Sequence, residues 1–157
     1  MASLTPAGLY EHAYEVLRVA RNALDPLPGR AFLNPGGPVP WDSCCEGQVW
    51  VRIISITPVL PRNAGPASST CPVGWRLVLG VGSLRCVEVV RDDGTPPTAR
   101  EVTDDARQMM EDAANLLNAL TCSDLDLALG QWGPVGADGG CAGGEVQVTS
   151  TLMFCGC

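Results

Sequence analysis

The sequence predicts an α+β domain: an antiparallel sheet with two main helices packed on one face, in the order α-β-β-α-β. Three observations carry that expectation. Apolar residues recur at helical spacing in two separate stretches, two long β-branched runs joined by a turn-rich segment lie between them, and a third alternating run closes the chain. The 157 residues are 46% hydrophobic and 17% charged. A chain of this length buries roughly two thirds of its unfolded surface without covalent help, so a single domain over 1–157 is expected.

The first helix is expected from about Pro6 to Leu24. Thr5 is a good N-cap, Pro6 suits the first helical position, and Leu9, Ala13, Val16, Leu17, Ala20 and Leu24 form one stripe. The following "DPLPGRAFLNPGGPVPW" carries five prolines and three glycines, which argues for a loop lying along a surface. "GQVWVRIISI" from Gly47 to Ile56 reads as a central strand stopped by Pro58, and "GWRLVLGVGSLRCVEVV" from Gly74 to Val90 as its antiparallel return, with glycines suggesting a bend or bulge. Val102, Ala106, Met109, Met110, Ala113, Leu116, Leu117 and Leu120 define a second helix from about Ala99 to Leu120. "SDLDLALG" reads as a short helical turn, "QWGPVGADGGCAGG" as a loop, and "EVQVTSTLMFC" as a half-buried strand.

The net charge of -7 disfavours nucleic acid bound across a broad face, which needs excess Lys and Arg to displace counterions. All ten basic residues are arginine, a bias that with abundant Ala, Gly, Pro and Val points to GC-rich coding rather than to an activity. The charge is uneven. Residues 1–91 hold eight Arg against six acids and residues 92–157 two Arg against eleven, so the halves carry +2 and -9. The acidic half either presents solvated faces or meets a basic surface of a neighbouring subunit in a head-to-tail ring. The start "MASLTPAGLYEH" has no signal-peptide pattern, and no run nears the ~18 apolar residues of a membrane span, so a cytosolic origin without membrane contact is expected.

Catalytic chemistry finds few carriers. His12 is the one histidine and lies beside the apolar stripe of the first helix, with no serine or cysteine near it in sequence to mark a nucleophile. "GPVGADGGCAGG" lacks the GK[ST] ending of a phosphate loop and precedes a strand, and Asp104, Asp105, Glu111 and Asp112 are expected on the polar side of the second helix. No enzyme activity, cofactor or metal is therefore expected. Eight cysteines remain: Cys44, Cys45, Cys71, Cys86, Cys122, Cys141, Cys155 and Cys157. The adjacent Cys44-Cys45 and the Cys155-x-Cys157 pair miss the C-x(2–4)-C spacing of structural zinc, and a thioredoxin-type C-x-x-C is missing. Buried thiols and late-formed disulfides both fit, the latter in a setting such as a virion surface. Cys44 and Cys45 are expected to flank the first strand, one thiol inward and the other outward toward a cysteine of the final strand. A cysteine-rich metal or redox module is the alternative outside the structural class.

The order "CCEGQVWVRI", "CPVGWRLVLGVGSLRC", "DDGTPPT", "DDARQMMEDAANLLNAL", "GQWGPVGADGGCAGG" and "VTSTLMFCGC" resembles small neck proteins of tailed actinobacteriophages, over nearly the whole chain. The resemblance implies a non-enzymatic virion protein at the head-to-tail junction, assembled in the host cytoplasm, most like a tail terminator. Such α+β subunits form a hexameric ring that caps the tail tube protein and joins it to the head-completion (stopper) protein, with DNA passing through the lumen. A stopper or adaptor role is the alternative within this class. The Pro26–Trp41 loop, with Phe32 and Trp41, and the Leu60–Val73 tip, with Arg62 and Asn63, are the expected interface loops on that reading.

Overall fold

A computed structural model describes residues 6–42, 44–62 and 71–153. Among these residues two α-helices and five strands follow in the order α-β-β-β-α-β-β: α1 (Pro6–Ala23), β1 (Arg30–Asn34), β2 (Gln48–Val59), β3 (Gly74–Cys86), α2 (Ala99–Thr121), β4 (Ala128–Asp138) and β5 (Cys141–Met153). The strands form one sheet in the spatial order β1-β2-β3-β5-β4. The fold is α+β, but the sheet is mixed rather than purely antiparallel, because β1 runs parallel to β2.

Two strands lie where the sequence suggested loops. β1 occupies five of the six residues between Pro28 and Pro35, and its consecutive apolar side chains divide between the faces, Ala31 and Leu33 toward the helices and Phe32 away from them. As a short edge strand it tolerates prolines at both ends, since nothing beyond them pairs. β4 forms a hairpin with β5, with Asp138 opposite Cys141 across the two-residue turn Gly139-Gly140. Both glycines have positive φ, +57° and +78°, the conformation that twists a two-residue turn to match its strands.

Pro58 does not stop β2. It faces Trp75, beyond the point where β1 ends opposite Arg52, so on that side β2 is an open edge and a missing N–H costs no ladder bond. The bulge expected among the β3 glycines sits instead in β2, between Ile53 and Ser55.

One core lies between the helices and the sheet. Ala13, Val16, Leu17, Ala20 and Leu24 meet Val49 and Val51 of β2, Leu77, Leu79 and Val81 of β3, Val146 and Val148 of β5, and Leu116 and Leu120 of α2. Thr98 caps α2 through a reciprocal box with Glu101, whose carboxyl is held below its ordinary pKa by the Thr98 backbone and hydroxyl and by Arg91. The first half of α2 overhangs the sheet. Val102, Ala106 and Met110 are exposed there, Met110 at 70%, so the apolar stripe that marks this helix in the sequence is buried only in its second half.

Asp112 corrects a further expectation. It is buried rather than solvated, with Arg85 Nη2 donating to Oδ1 at 3.0 Å, Arg85 Nε to Oδ2, and Gln108 Nε2 to Oδ1 at 3.1 Å. Arg85 Nη2 also donates to the Pro26 carbonyl at 3.0 Å, so one guanidinium ties α2, β3 and the segment after α1. Removing one member strands a buried charge. Asp112→Ala should cost about 3 kcal/mol by urea unfolding, with much of it recovered in the double variant Arg85→Met/Asp112→Leu.

His12 of α1 meets Ser150 of β5, Nε2 to Oγ at 2.8 Å, and burial lowers its pKa from 6.5. As pH falls through that ordinary value the unfolded chain takes up the proton first. The associated stability is present above the unfolded pKa and is lost as pH falls through the folded one. Wild-type protein should therefore lose more stability than His12→Gln between about pH 8 and about pH 5, measured by urea midpoints.

Candidate functional site

The opposite face of the sheet carries a second, smaller cluster built at the end where β3 finishes and β5 begins. Trp50 of β2 sits on this face with Leu84, Cys44 and Cys141, all buried, and Phe32, Val39 and Trp41 pack around them. The ring has room because Gly82 sits beside it. A Cβ at that position would fall into the Trp50 ring and against the Gly144 carbonyl oxygen. Glu145 accepts from the Trp50 indole Nε1 at 2.8 Å and from Arg52 Nε at 3.2 Å, closing the polar end of the cluster.

The Pro35–Trp41 segment is held over this face by side chains rather than by a ladder. Asn34 Nδ2 donates to the Pro38 carbonyl at 3.1 Å, and Gln48 Nε2 to the Pro40 carbonyl at 2.6 Å. A proline-rich segment has few N–H groups of its own, so its carbonyls are satisfied from neighbouring strands. It ends in a 3-10 turn, Cys44–Glu46, which Gly29 N donating to the Glu46 carbonyl and Arg30 N to the Gly47 carbonyl fasten to the start of β1.

That turn presents both adjacent cysteines to the sheet end. Cys86 closes β3 and Cys141 opens β5, and the two are register partners, so their side chains leave one face side by side. Cys44 is disulfide-bonded to Cys141 and Cys45 to Cys86, with Cα separations of 5.8 and 4.5 Å, both within the range a disulfide spans. Cys44 and Cys141 are buried, whereas Cys45 and Cys86 are exposed. The bridges do not lie apart: Cys44 Sγ is 3.9 Å from Cys86 Sγ, and the sulfurs of Cys44, Cys45 and Cys86 all fall within 4.8 Å of one another.

Cys71 is also disulfide-bonded, Cys122 is an exposed free thiol, and Cys155 and Cys157 lie outside the described residues, as do Thr5 and Asn63. Phe32 lies in β1 rather than a loop, half-buried with the Arg30 guanidinium 4.8 Å above its ring, while Trp41 is half-buried and Arg62 exposed just beyond β2. The His12–Ser150 pair has the residue types of a nucleophile and base, but Ser150 is 3% exposed beneath α1, where a substrate has no path to its hydroxyl.

Among the described residues no helix is long and apolar enough to cross a membrane. No protein-family model and no curated protein matches the chain. The four-cysteine cluster escaped sequence reasoning because two of its members are neighbours only through strand register. Asp138-Gly139 ahead of an alternating run was the available signal, since it marks the hairpin that brings Cys141 to the start of a strand. The fit of Trp50 to Gly82 gives a direct check. Gly82→Ala should cost about 2 kcal/mol through overpacking and should change the near-ultraviolet circular dichroism of the buried indole.

Proposed function

We propose that the protein is a non-enzymatic structural subunit that associates head to tail into a closed ring, and that this ring is the tail terminator of a tailed phage. The observation that supports it most is a pair of unlike apolar patches at opposite ends of β3. Beside the strand's last residues, the overhanging half of α2 exposes Val102, Ala106 and Met110 among Glu101, Asp104, Asp105 and Glu111, where Arg100 and Arg107 both pair with Asp104 and leave the surroundings acidic on balance. At the other end the β2–β3 hairpin exposes Ile54, Ile56 and Leu60, and its described residues carry Arg62 and Arg76 but no acid.

Large apolar side chains grouped on a surface mark association sites, and opposite charge around them sets the pairing. Because the two patches differ and lie at opposite ends, the contact they favour is heterologous. Such contacts close into rings when the rotation permits. In the tail-terminator reading the ring is a hexamer in the virion neck. It sits between the tail tube protein and the head-completion protein, and DNA passes through its lumen.

The paired patches make a test with a specific signature. Light scattering after size exclusion should show a ring for wild type, and Met110→Asp or Ile56→Asp should each give monomers. Mixing the two variants should yield a dimer and no larger species, because only one intact pair of patches remains. A wild-type monomer at high concentration, or rings that survive both substitutions, would exclude this association. Its absence from purified tails by mass spectrometry would exclude the virion assignment separately.

A further inference from the structure

The two disulfides at the sheet end form a single group of sulfurs rather than two unrelated staples. Four sulfur atoms arrive there from three chain segments: Cys44 and Cys45 from the 3-10 turn, Cys86 from the end of β3, and Cys141 from the start of β5. The spacing across the bridges carries the chemistry. Four thiolates around zinc at about 2.3 Å define a tetrahedron whose edge is roughly 3.8 Å. The unbonded sulfurs of Cys44 and Cys86 are already 3.9 Å apart and the Cys45 sulfur falls within 4.8 Å of both, while Cys141 lies outside that group of three and reaches it through its bond to Cys44.

Opening the two bridges would let each bonded pair relax outward toward that same edge length, with the backbone of the turn and the ladder remaining in place. Structural zinc favours a closed set of four sulfur ligands, which these residues supply in full. Access is also provided, because Cys45 and Cys86 are exposed while Cys44 and Cys141 form the buried side. The usual C-x(2–4)-C knuckle is replaced here by an adjacent pair facing a cross-strand pair.

We propose that the reduced chain binds one zinc ion through Cys44, Cys45, Cys86 and Cys141, and that oxidation exchanges the ion for the two disulfides. With a low-molecular-weight disulfide RSSR as oxidant the exchange balances. The tetrathiolate zinc site, two RSSR and four protons give two protein disulfides, four RSH and free zinc ion. Each new protein S–S bond takes two electrons from two cysteine sulfurs, and these electrons reduce one RSSR to two RSH. In a thiol-reducing compartment the ion ties the turn to the sheet end, and in an oxidising one the bridges do so. This site stands whether or not the subunits form a ring.

The test uses the full chain, reduced and kept free of oxygen, titrated with zinc against a chromogenic chelator and separately with Co(II). Reduced protein should take up one equivalent of zinc, and Co(II) should give the intense absorption of a tetrahedral tetrathiolate. Oxidised protein should bind neither, and RSSR should release the zinc with two disulfides formed. Cys86→Ser should weaken zinc binding by more than the roughly 100-fold that loss of an outer-shell partner can cost, whereas the triple variant Cys122→Ser/Cys155→Ser/Cys157→Ser should keep the full stoichiometry. If reduction unfolds the metal-free chain, zinc should restore its circular dichroism at one equivalent. Reduced protein that takes up no zinc, folded or not, overturns the site. So does binding that is lost in the triple variant and kept in Cys86→Ser.

Discussion

The ladder between β3 and β5 is the constraint on which the rest of the molecule depends. It pairs Gly74 with Met153 at one end and Cys86 with Cys141 at the other without interruption. Side chains alternate between faces, so this register places Leu77, Leu79 and Val81 beside Val146 and Val148 under the helices. The same register brings Glu145 to Trp50 and leaves Gly82 vacant beneath the indole. A slip of one residue would exchange the two faces and separate both constellations at once.

Two local devices hold other segments to that ladder. On the helix side, Arg85 and Asp112 anchor α2 at its midpoint, which leaves the first half of the helix projecting past the sheet. On the far side, the disulfides anchor the turn after the proline-rich segment. The ion pair fixes direction as well as position, since both carboxylate oxygens of Asp112 are engaged by one guanidinium. The projecting helix and the long hairpin then become the two extremities of the subunit. The proposed association uses these ends, and the rigid middle sets the angle between them.

The cysteine cluster shows how stability and chemistry share one location. The β4–β5 turn and the turn at Cys44–Glu46 bring exposed sulfurs and buried sulfurs into a single group. A cross-link between segments far apart in sequence restricts the unfolded chain strongly, and the Cys44–Cys141 bridge spans 97 residues. A metal at the same place would impose the same closure on the reduced chain. Either way, the covering segment with Val39 and Trp41 stays packed against Trp50.

The sequence by itself determined both helices, the long antiparallel pair β2–β3 and the final strand. Those elements announce themselves through local periodicity: Val16, Leu17 and Ala20 on one helix face, Leu77, Leu79 and Val81 on one strand face. The tertiary structure alone decided β1, β4, the buried place of Asp112 and the meeting of Cys44, Cys45, Cys86 and Cys141. β1 is too short and proline-bounded to carry a period, β4 is interrupted by glycine and a proline, and an acid on a helix looks solvated until its arginine partner arrives from another strand. Sulfur convergence depends on strand register and on a turn's approach to a sheet end, and such non-local pairing leaves no regular spacing in the chain for a sequence pattern to register.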